Sequence, residues 1–318
     1  MRVVFFGSPE FAVPTLQSLA ASAAFEVALV VTQAAKGSSP VEATAEGLRL
    51  PVYKPASLRD AASREPLIAA EPDLFVVAAF GLIFRQRTLD IPRLGSVNVH
   101  PSLLPKYRGA SPIVAAIASG DRETGVALIV MDAGIDTGAV ISQERALIED
   151  GDTSESLGGR LAHTGAEMAV RDIPSWVNGE LVASPQRGSQ ASLTRTLTKA
   201  DGWIDWARPA NVVERQIRAM WPWPRAWTTV HGSPMQVHGA KVVAVENGEY
   251  EPGGVVVARR KLVVACGEDG LEIETVEPAG RRTMPASAYL NGLRTPIVRL
   301  GDAGAPEPVP PLVVPVEP

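Results

Sequence analysis

Unbroken apolar runs mark the first half of the chain at Val3 to Phe6, Val27 to Thr32 and Leu74 to Ala79. The second and third each follow a helix-compatible segment. Strands buried on both faces read as continuous apolar runs, so this alternation predicts a mostly parallel sheet flanked by helices, a doubly wound α/β domain. At its start, Gly7-Ser8-Pro9-Glu10 reads as a turn entering a helix, with Ser8 as N-cap and Pro9 at the first helical position. Pro14 lacks a donor N–H, so the regular helix is expected to begin near it. Ala110 to Gly120, with Pro112 near its start, suits a helix, and Val126 to Met131 a short buried strand. A capped turn at Glu149-Asp-Gly-Asp-Thr-Ser leads into a helix from Ser156 to about Val177.

The pattern then changes. Residues 184 to 202 are rich in Ser, Thr, Gln and Gly without apolar periodicity, which reads as an interdomain connection. Asn211 can cap a helix running to Met220. Beyond it, valine-rich segments at Gln236 to Val245, Gly254 to Val257, Leu262 to Ala265 and Leu271 to Val276 alternate with glycine turns. Short strands at that spacing predict a small β-barrel of the OB-like kind. The boundaries expected are an α/β domain over 1–183, a linker over 184–205, a barrel over 206–303 and a disordered proline-rich tail over 304–318. In Trp221-Pro-Trp223-Pro-Arg225-Ala-Trp227 the tryptophans either stack on nucleic-acid bases or pack the helix onto the barrel.

Composition narrows the class. At 318 residues with 46% hydrophobic content, the chain has material for two cores. The single cysteine, Cys266, excludes an internal disulfide and a cysteine-cluster metal site, and its apolar neighbours mark it as a core residue. No run of about 18 apolar residues occurs, and Met1-Arg-Val-Val-Phe-Phe is too short for an export core, so a cytoplasmic protein without a membrane partner is expected. A net charge of −5 argues against nucleic-acid binding by bulk electrostatics, although residues 206–303 carry a net +2.

The chemistry concentrates between Asn98 and Gly138. Asn98 and His100 are two residues apart on a predicted strand, so their side chains share a face. Pro101 and Pro105 bracket Ser102-Leu103-Leu104 into a rigid, non-helical loop able to hold a flat ligand against backbone groups. Asp132 and Asp136 follow on a glycine-punctuated loop, from which a carboxylate can fold back onto the imidazole. A carboxylate beside an imidazole favours its charged form, and an amide donor can hold a developing oxyanion. Such a trio suits direct acyl transfer to an amine, with no metal and no covalent enzyme intermediate. The alternative is a structural hydrogen-bonding pair. Gly7 alone is no dinucleotide fingerprint, and His163, isolated on a helix, is no ligand candidate.

The run Asn98-Val-His-Pro-Ser-Leu-Leu-Pro-Lys-Tyr-Arg-Gly109, followed by Gly134-Ile-Asp136-Thr-Gly138, resembles the 10-formyltetrahydrofolate-dependent formyltransferases. The resemblance spans about residues 1 to 300. It implies a catalytic triad at Asn98, His100 and Asp136, and a folate-contacting loop at Ser102, Leu103, Leu104 and Pro105. Phe80-Gly-Leu82-Ile83 follows a predicted strand, where open α/β sheets bind ligands. The resemblance places it beside the pterin, making Leu82 and Ile83 cofactor contacts, with core packing as the alternative. Arg108-Gly-Ala-Ser-Pro-Ile113 is more similar to the branch acting on methionyl-tRNA than to the purine-synthesis branch, Trp206 and the Pro-Trp-Pro segment resemble that branch too, and Arg281-Arg282 ahead of Met284 resembles the family's basic-then-Met element.

That branch implies 10-formyltetrahydrofolate as co-substrate, initiator methionyl-tRNA as partner and a role in translation initiation; a monomer is expected. One element departs from it. After Thr32-Gln33 the branch carries a longer basic loop, whereas Ala34-Ala-Lys36-Gly-Ser-Ser-Pro40 holds one cation and offers little phosphate contact. An amino-sugar nucleotide N-formyltransferase explains that short loop. A catalytically idle folate- or RNA-binding protein is the third reading, with all three triad positions intact against it.

Overall fold

A computed structural model describes residues 1–34, 37–246, 249–257 and 261–316. Ala35 and Lys36 of the short loop, with Glu317 and Pro318, lie outside the described residues. Seven strands build the first sheet: β1 (Arg2–Gly7), β2 (Glu26–Val31), β3 (Val52–Tyr53), β4 (Leu74–Ala78), β5 (Ser96–His100), β7 (Glu123–Val130) and β8 (Val140–Leu147). Between β5 and β7 lies a two-residue strand, β6 (Arg108–Gly109), which belongs elsewhere. The order is β3-β2-β1-β4-β5-β7-β8, parallel through β5 and antiparallel in the β7–β8 hairpin. The mostly parallel doubly wound sheet expected from the apolar runs is therefore present.

Helices α1 (Val13–Ala21), α2 (Pro40–Gly47), α3 (Glu65–Ala69), α4 (Gln86–Leu89), α5 (Pro112–Ser119) and α6 (Ser154–Val177) belong to this domain. Val3, Phe5, Val76, Val97 and Val99 pack into one core with Leu16, Leu157 and Leu161. The alternate residues Val4, Phe6, Phe75 and Val77 enter a second core with Phe80 and Phe84. That two-sided burial is why these strands are continuously apolar. Helix α6 starts with a capping box between Thr153 and Ser156. At Gly165 an added Cβ would stand 2.5 Å from Val99 Cγ1, so a glycine lets α6 press directly on β5. The turn after β1 differs from expectation. Ser8 caps no helix; its hydroxyl accepts from the Gln33 N–H and the Thr32 hydroxyl, and the regular helix begins at Val13 with Pro14 second.

The second domain packs α7 (Ala210–Ala219) and α8 (Ala286–Asn291) against β10 (Ala226–Val230), β11 (Ser233–Val243), β12 (Val255–Val257), β13 (Leu262–Ala265), β14 (Gly270–Pro278) and β15 (Met284–Pro285). The antiparallel order is β10-β11-β14-β13-β12, with β15 on β14. Residues 298–301 join its two edges: Val255 N–H donates to Val298 O and Leu300 N–H to Gly253 O on the β12 side, while Gly301 N–H donates to Thr229 O of β10. The curled sheet is thereby laced into a barrel-like unit. Pro209, rather than Asn211, sits at the N-cap of α7, with no side-chain cap. Cys266 is buried, and burial, with Asp269 beside it, pushes its thiol up to about 12, in keeping with a core residue.

The stretch read as a linker and the tail expected to be disordered both carry strands. Inside the polar segment 184–205 lies β9 (Ser192–Thr194), and Ile204 already pairs with Trp227 and joins the barrel core. In the proline-rich tail, β16 (Val313–Pro315) pairs with β9, which pairs with β6, giving a small sheet ordered β16-β9-β6. The tail leaves the barrel where the Thr229 hydroxyl donates to Ala303 O, and returns to the first domain where Arg195 donates to Pro310 O. Proline's missing donor is tolerated because β16 is an edge strand. Among the described residues, no helix is long and apolar enough to cross a membrane.

Candidate active site

Strand β5 ends at the carboxyl edge of the first sheet, between β4 and β7. Its alternation buries Val97 and Val99 under α6 and turns Asn98 and His100 to the opposite face. The loop after β7 brings Asp136 back over them. Gly138 makes that return possible, since an added Cβ would stand 1.7 Å from Val130 O. Asp136 itself adopts a left-handed φ of 50°, which Asp tolerates better than most residues. Its neighbour Asp132 organises the loop, accepting from the Gly134 N–H at 3.0 Å and the Thr137 hydroxyl at 2.6 Å.

The three candidate catalytic residues therefore converge. Asn98 Nδ2 donates to Asp136 Oδ1 at 3.1 Å, and Gly109 N–H donates to Oδ2 at 2.8 Å. His100 Nδ1 lies 3.5 Å from the same Oδ2. On the other side of the ring, Nε2 is 3.0 Å from Tyr107 O. A carbonyl only accepts, so Nε2 carries a hydrogen. Nδ1 is thus the nitrogen that meets the carboxylate. The carboxylate is fixed mainly by Asn98 and the Gly109 amide, and it rests more loosely on the imidazole that Tyr107 O orients. His100 is only 4% exposed, so its ring moves little.

The candidate cofactor loop presents backbone more than side chains. Ser102 is fully buried, its hydroxyl donating to Lys106 O at 2.7 Å. Leu104 packs against Ala127 and Ile129, and its carbonyl accepts from Gln143 Nε2. Leu103 faces the Gly125 position and lines a small cavity of about 180 Å3 with Tyr107 and Asp121. Pro105 is half-buried, and its carbonyl accepts from the Ser192 N–H. Leu82 is partly buried against the Phe80–Phe84 cluster, whereas Ile83 is 79% exposed. Of the two, Ile83 offers an open apolar surface. Ile135, next to Asp136, is 62% exposed and offers another.

Residues with no sequence signal complete the support. Gln186 Nε2 donates to both Asp136 O at 2.7 Å and Gly138 O at 2.8 Å, while its Oε1 accepts from Arg108 Nε and Nη2. Ser192 Oγ accepts from the Tyr107 N–H, and Thr194 Oγ1 donates to Arg108 O. All three come from the polar segment read as a connection, where nothing periodic distinguishes them. The tryptophans divide similarly. Trp227 packs edge-on against Trp203 and Trp221 against His238, but Trp223 is 56% exposed.

The domain order and this site define a class, and comparison with known proteins places the chain within it. The family model described as Formyl transferase matches residues 1–173, and Formyl transferase, C-terminal domain, matches residues 196–294. Solved structures agree at the level of fold. The sugar 3N-formyl transferase WlaRD, determined in the presence of dTDP and 5-N-formyl-THF, has a TM-score of 0.66 at 18% identity, covering 89% of this chain and 99% of its own. HypX from Aquifex aeolicus in complex with tetrahydrofolic acid has a TM-score of 0.60 at 16% identity, covering 92% of this chain and 47% of its own.

Sequence relatives are more specific. The methionyl-tRNA formyltransferase of Roseiflexus sp. (strain RS-1) is 41% identical over 314 residues, covering 96% of this chain and 97% of the relative. That of Methylococcus capsulatus (strain ATCC 33009 / NCIMB 11132 / Bath) is 42% identical over 309 residues, covering 95% and 100%. The chain belongs to the family of methionyl-tRNA formyltransferases.

Proposed function

We propose that this protein transfers a formyl group from 10-formyltetrahydrofolate to the α-amine of initiator methionyl-tRNA, in the cytoplasm, for the start of translation. The observation that carries the reading is the convergence of Asn98, His100 and Asp136 at the sheet's carboxyl edge. Full-length similarity to named methionyl-tRNA formyltransferases supports the acceptor. The amino-sugar alternative has the short 34–40 loop and a likeness in fold to support it, but leaves Trp206 and the Pro-Trp-Pro segment unexplained.

The amine nitrogen adds to the formyl carbon, the carbon–N10 bond of the folate then breaks, and N10 keeps the bonding pair and takes up the proton that the amine gives away. What surrounds the site fits such a co-substrate. Ile83 and Ile135 offer exposed apolar surface. Asn98 spends one Nδ2 hydrogen on Asp136 and keeps the other for an oxyanion. His100 has its Nε2 hydrogen tied to Tyr107 O, so Nδ1 is the ring atom left to take up or give a proton on the side of the reacting groups. Asp136 Oδ2 balances an imidazolium at Nδ1 and accepts the amine proton, directly or through a water. The Gly109 N–H keeps that carboxylate aimed throughout. No covalent bond to the protein is required.

Residues 206–303 are the part we assign to tRNA, because the short 34–40 loop holds a single cation. The exposed Trp223 ring provides a stacking surface there. The test is formyl transfer by purified protein to initiator methionyl-tRNA, with an amino-sugar nucleotide run in parallel. Transfer to the tRNA is expected; transfer only to the sugar, or to neither, refutes the proposal.

A further inference from the structure

The small sheet β16-β9-β6 lies outside both main cores, yet every strand of it leads to the candidate site. β6 contains Gly109, whose N–H holds Asp136 at 2.8 Å. Thr194 of β9 brackets that glycine. Its hydroxyl donates to Arg108 O and accepts from the Ser111 N–H, both at 3.0 Å, and its carbonyl accepts from the Ala110 N–H at 3.2 Å. The backbones are so close that a Cβ on Gly109 would stand 2.4 Å from Thr194 O. Two residues earlier, Ser192 Oγ holds the Tyr107 N–H at 2.9 Å, and Tyr107 O holds His100 Nε2. One short strand thus fixes the partner on each side of the imidazole.

β9 is too short to hold its own position. Its other edge is covered by the end of the chain, with Val313 opposite Thr194, Val314 opposite Leu193 and Pro315 opposite Ser192. Val316 N–H donates to Ala191 O and Arg195 N–H to Leu312 O, so the pairing continues past both ends of β9. Arg195 adds side-chain bonds to Pro310 O and an ion pair with buried Asp201.

We propose that Thr194 is a positioning residue for Asp136, and that the C-terminal strand 313–315 acts as a strap holding Thr194 and Ser192 in register. The inference rests on the formyl-transfer reading of the site and extends it to the far end of the chain. Neither element touches the reacting atoms. Their effect passes through Gly109 to Asp136, and through Tyr107 to His100. A displacement of about 1 Å at such a site costs up to about a hundredfold in rate, so the expected signature is a loss of kcat with substrate binding preserved.

The test uses full-length protein, Thr194→Val, Thr194→Ser and a chain ending at Pro311. Thr194→Val keeps the shape and removes the hydroxyl; it is expected to lower kcat about tenfold or more, with KM for both substrates within about twofold. Thr194→Ser restores most of the rate, and the truncation behaves like Thr194→Val. Hydrogen exchange at the Gly109 amide provides a readout independent of activity. It should quicken about tenfold in Thr194→Val and in the truncated chain, and remain slow in Thr194→Ser. Unchanged kcat and unchanged Gly109 exchange in folded variants would overturn the proposal, as would a rate loss that appears wholly in KM. If the unaltered protein formylates no methionyl-tRNA, the functional reading fails by itself, and Gly109 exchange still decides whether Thr194 and the strap hold the site.

Discussion

The stretches 98–138 and 184–194 meet at Asp136, and they bring different kinds of atom to it. The first supplies the side chains we propose for the chemistry: the Asn98 amide, the His100 imidazole and the Asp136 carboxylate. The second supplies groups that face only protein: the Gln186 amide on Asp136 O and Gly138 O, the Thr194 hydroxyl on Arg108 O, and the Ser192 hydroxyl under Tyr107. Chemistry and its alignment come from separate parts of the chain. Asp136 is therefore built as a held group. Three hydrogen-bond donors outside the imidazole reach it, one at each carboxylate oxygen and one at its carbonyl.

The two stretches should respond differently to mutation. The largest effect belongs to the proposed catalytic set: His100→Ala or Asp136→Asn is expected to reduce turnover about a thousandfold or more, with folate affinity nearly intact. Steady-state kinetics with a separate folate titration checks this, and an equal loss in binding would assign these residues to ligand capture instead. Next is Gly138→Ala. A Cβ there would meet Val130 O at 1.7 Å, so the loop must move, and about a hundredfold loss of turnover is expected.

Smaller again is Gln186→Leu, which removes both carbonyl clamps and leaves the Arg108 guanidinium without its acceptor. About a tenfold fall in kcat is expected, with KM little changed. A wild-type rate would mean the polar segment is a tether after all.

The smallest effect concerns stability alone. Burial would raise the Asp201 carboxyl, but the Arg195 hydrogen bonds, with those from the Thr198 N–H and hydroxyl, outweigh it and hold the group below its usual value. A depressed folded-state pKa contributes stability above the ordinary carboxylate value of 3.8 and loses it as pH falls through the lower folded value. Asp201→Asn should therefore be less stable at neutral pH by about 1–3 kcal/mol, and the gap should close below pH 3.8. Denaturation measured at both ends of that range tests the sign.

What could be read from the residues follows from the same division. Continuous valine runs betray strands buried on both faces, and Asn98, His100 and Asp136 lie within one motif whose prolines and glycines dictate backbone shape. Gln186, Ser192 and Thr194 bond to backbone across more than 45 residues of sequence. Polar side chains used that way leave no period and no fixed spacing, so the segment looks like linker. The tail misleads for another reason. Its prolines resemble disorder, but an edge strand needs few donors of its own, and the 306–313 segment lines a cavity of about 800 Å3 beside α5 and α7. Ser8 shows the converse error: its position suits a cap, yet Thr32 and Gln33 compete for its hydroxyl and win.

The most direct test of the central claim is the formyl-transfer rate from 10-formyltetrahydrofolate to purified initiator methionyl-tRNA, measured for the unaltered protein and for His100→Ala side by side. Rapid transfer is expected of the first and about a thousandfold slower transfer of the second. Transfer at equal rates by both would contradict the assignment of the site, and no transfer by the unaltered protein would contradict the function.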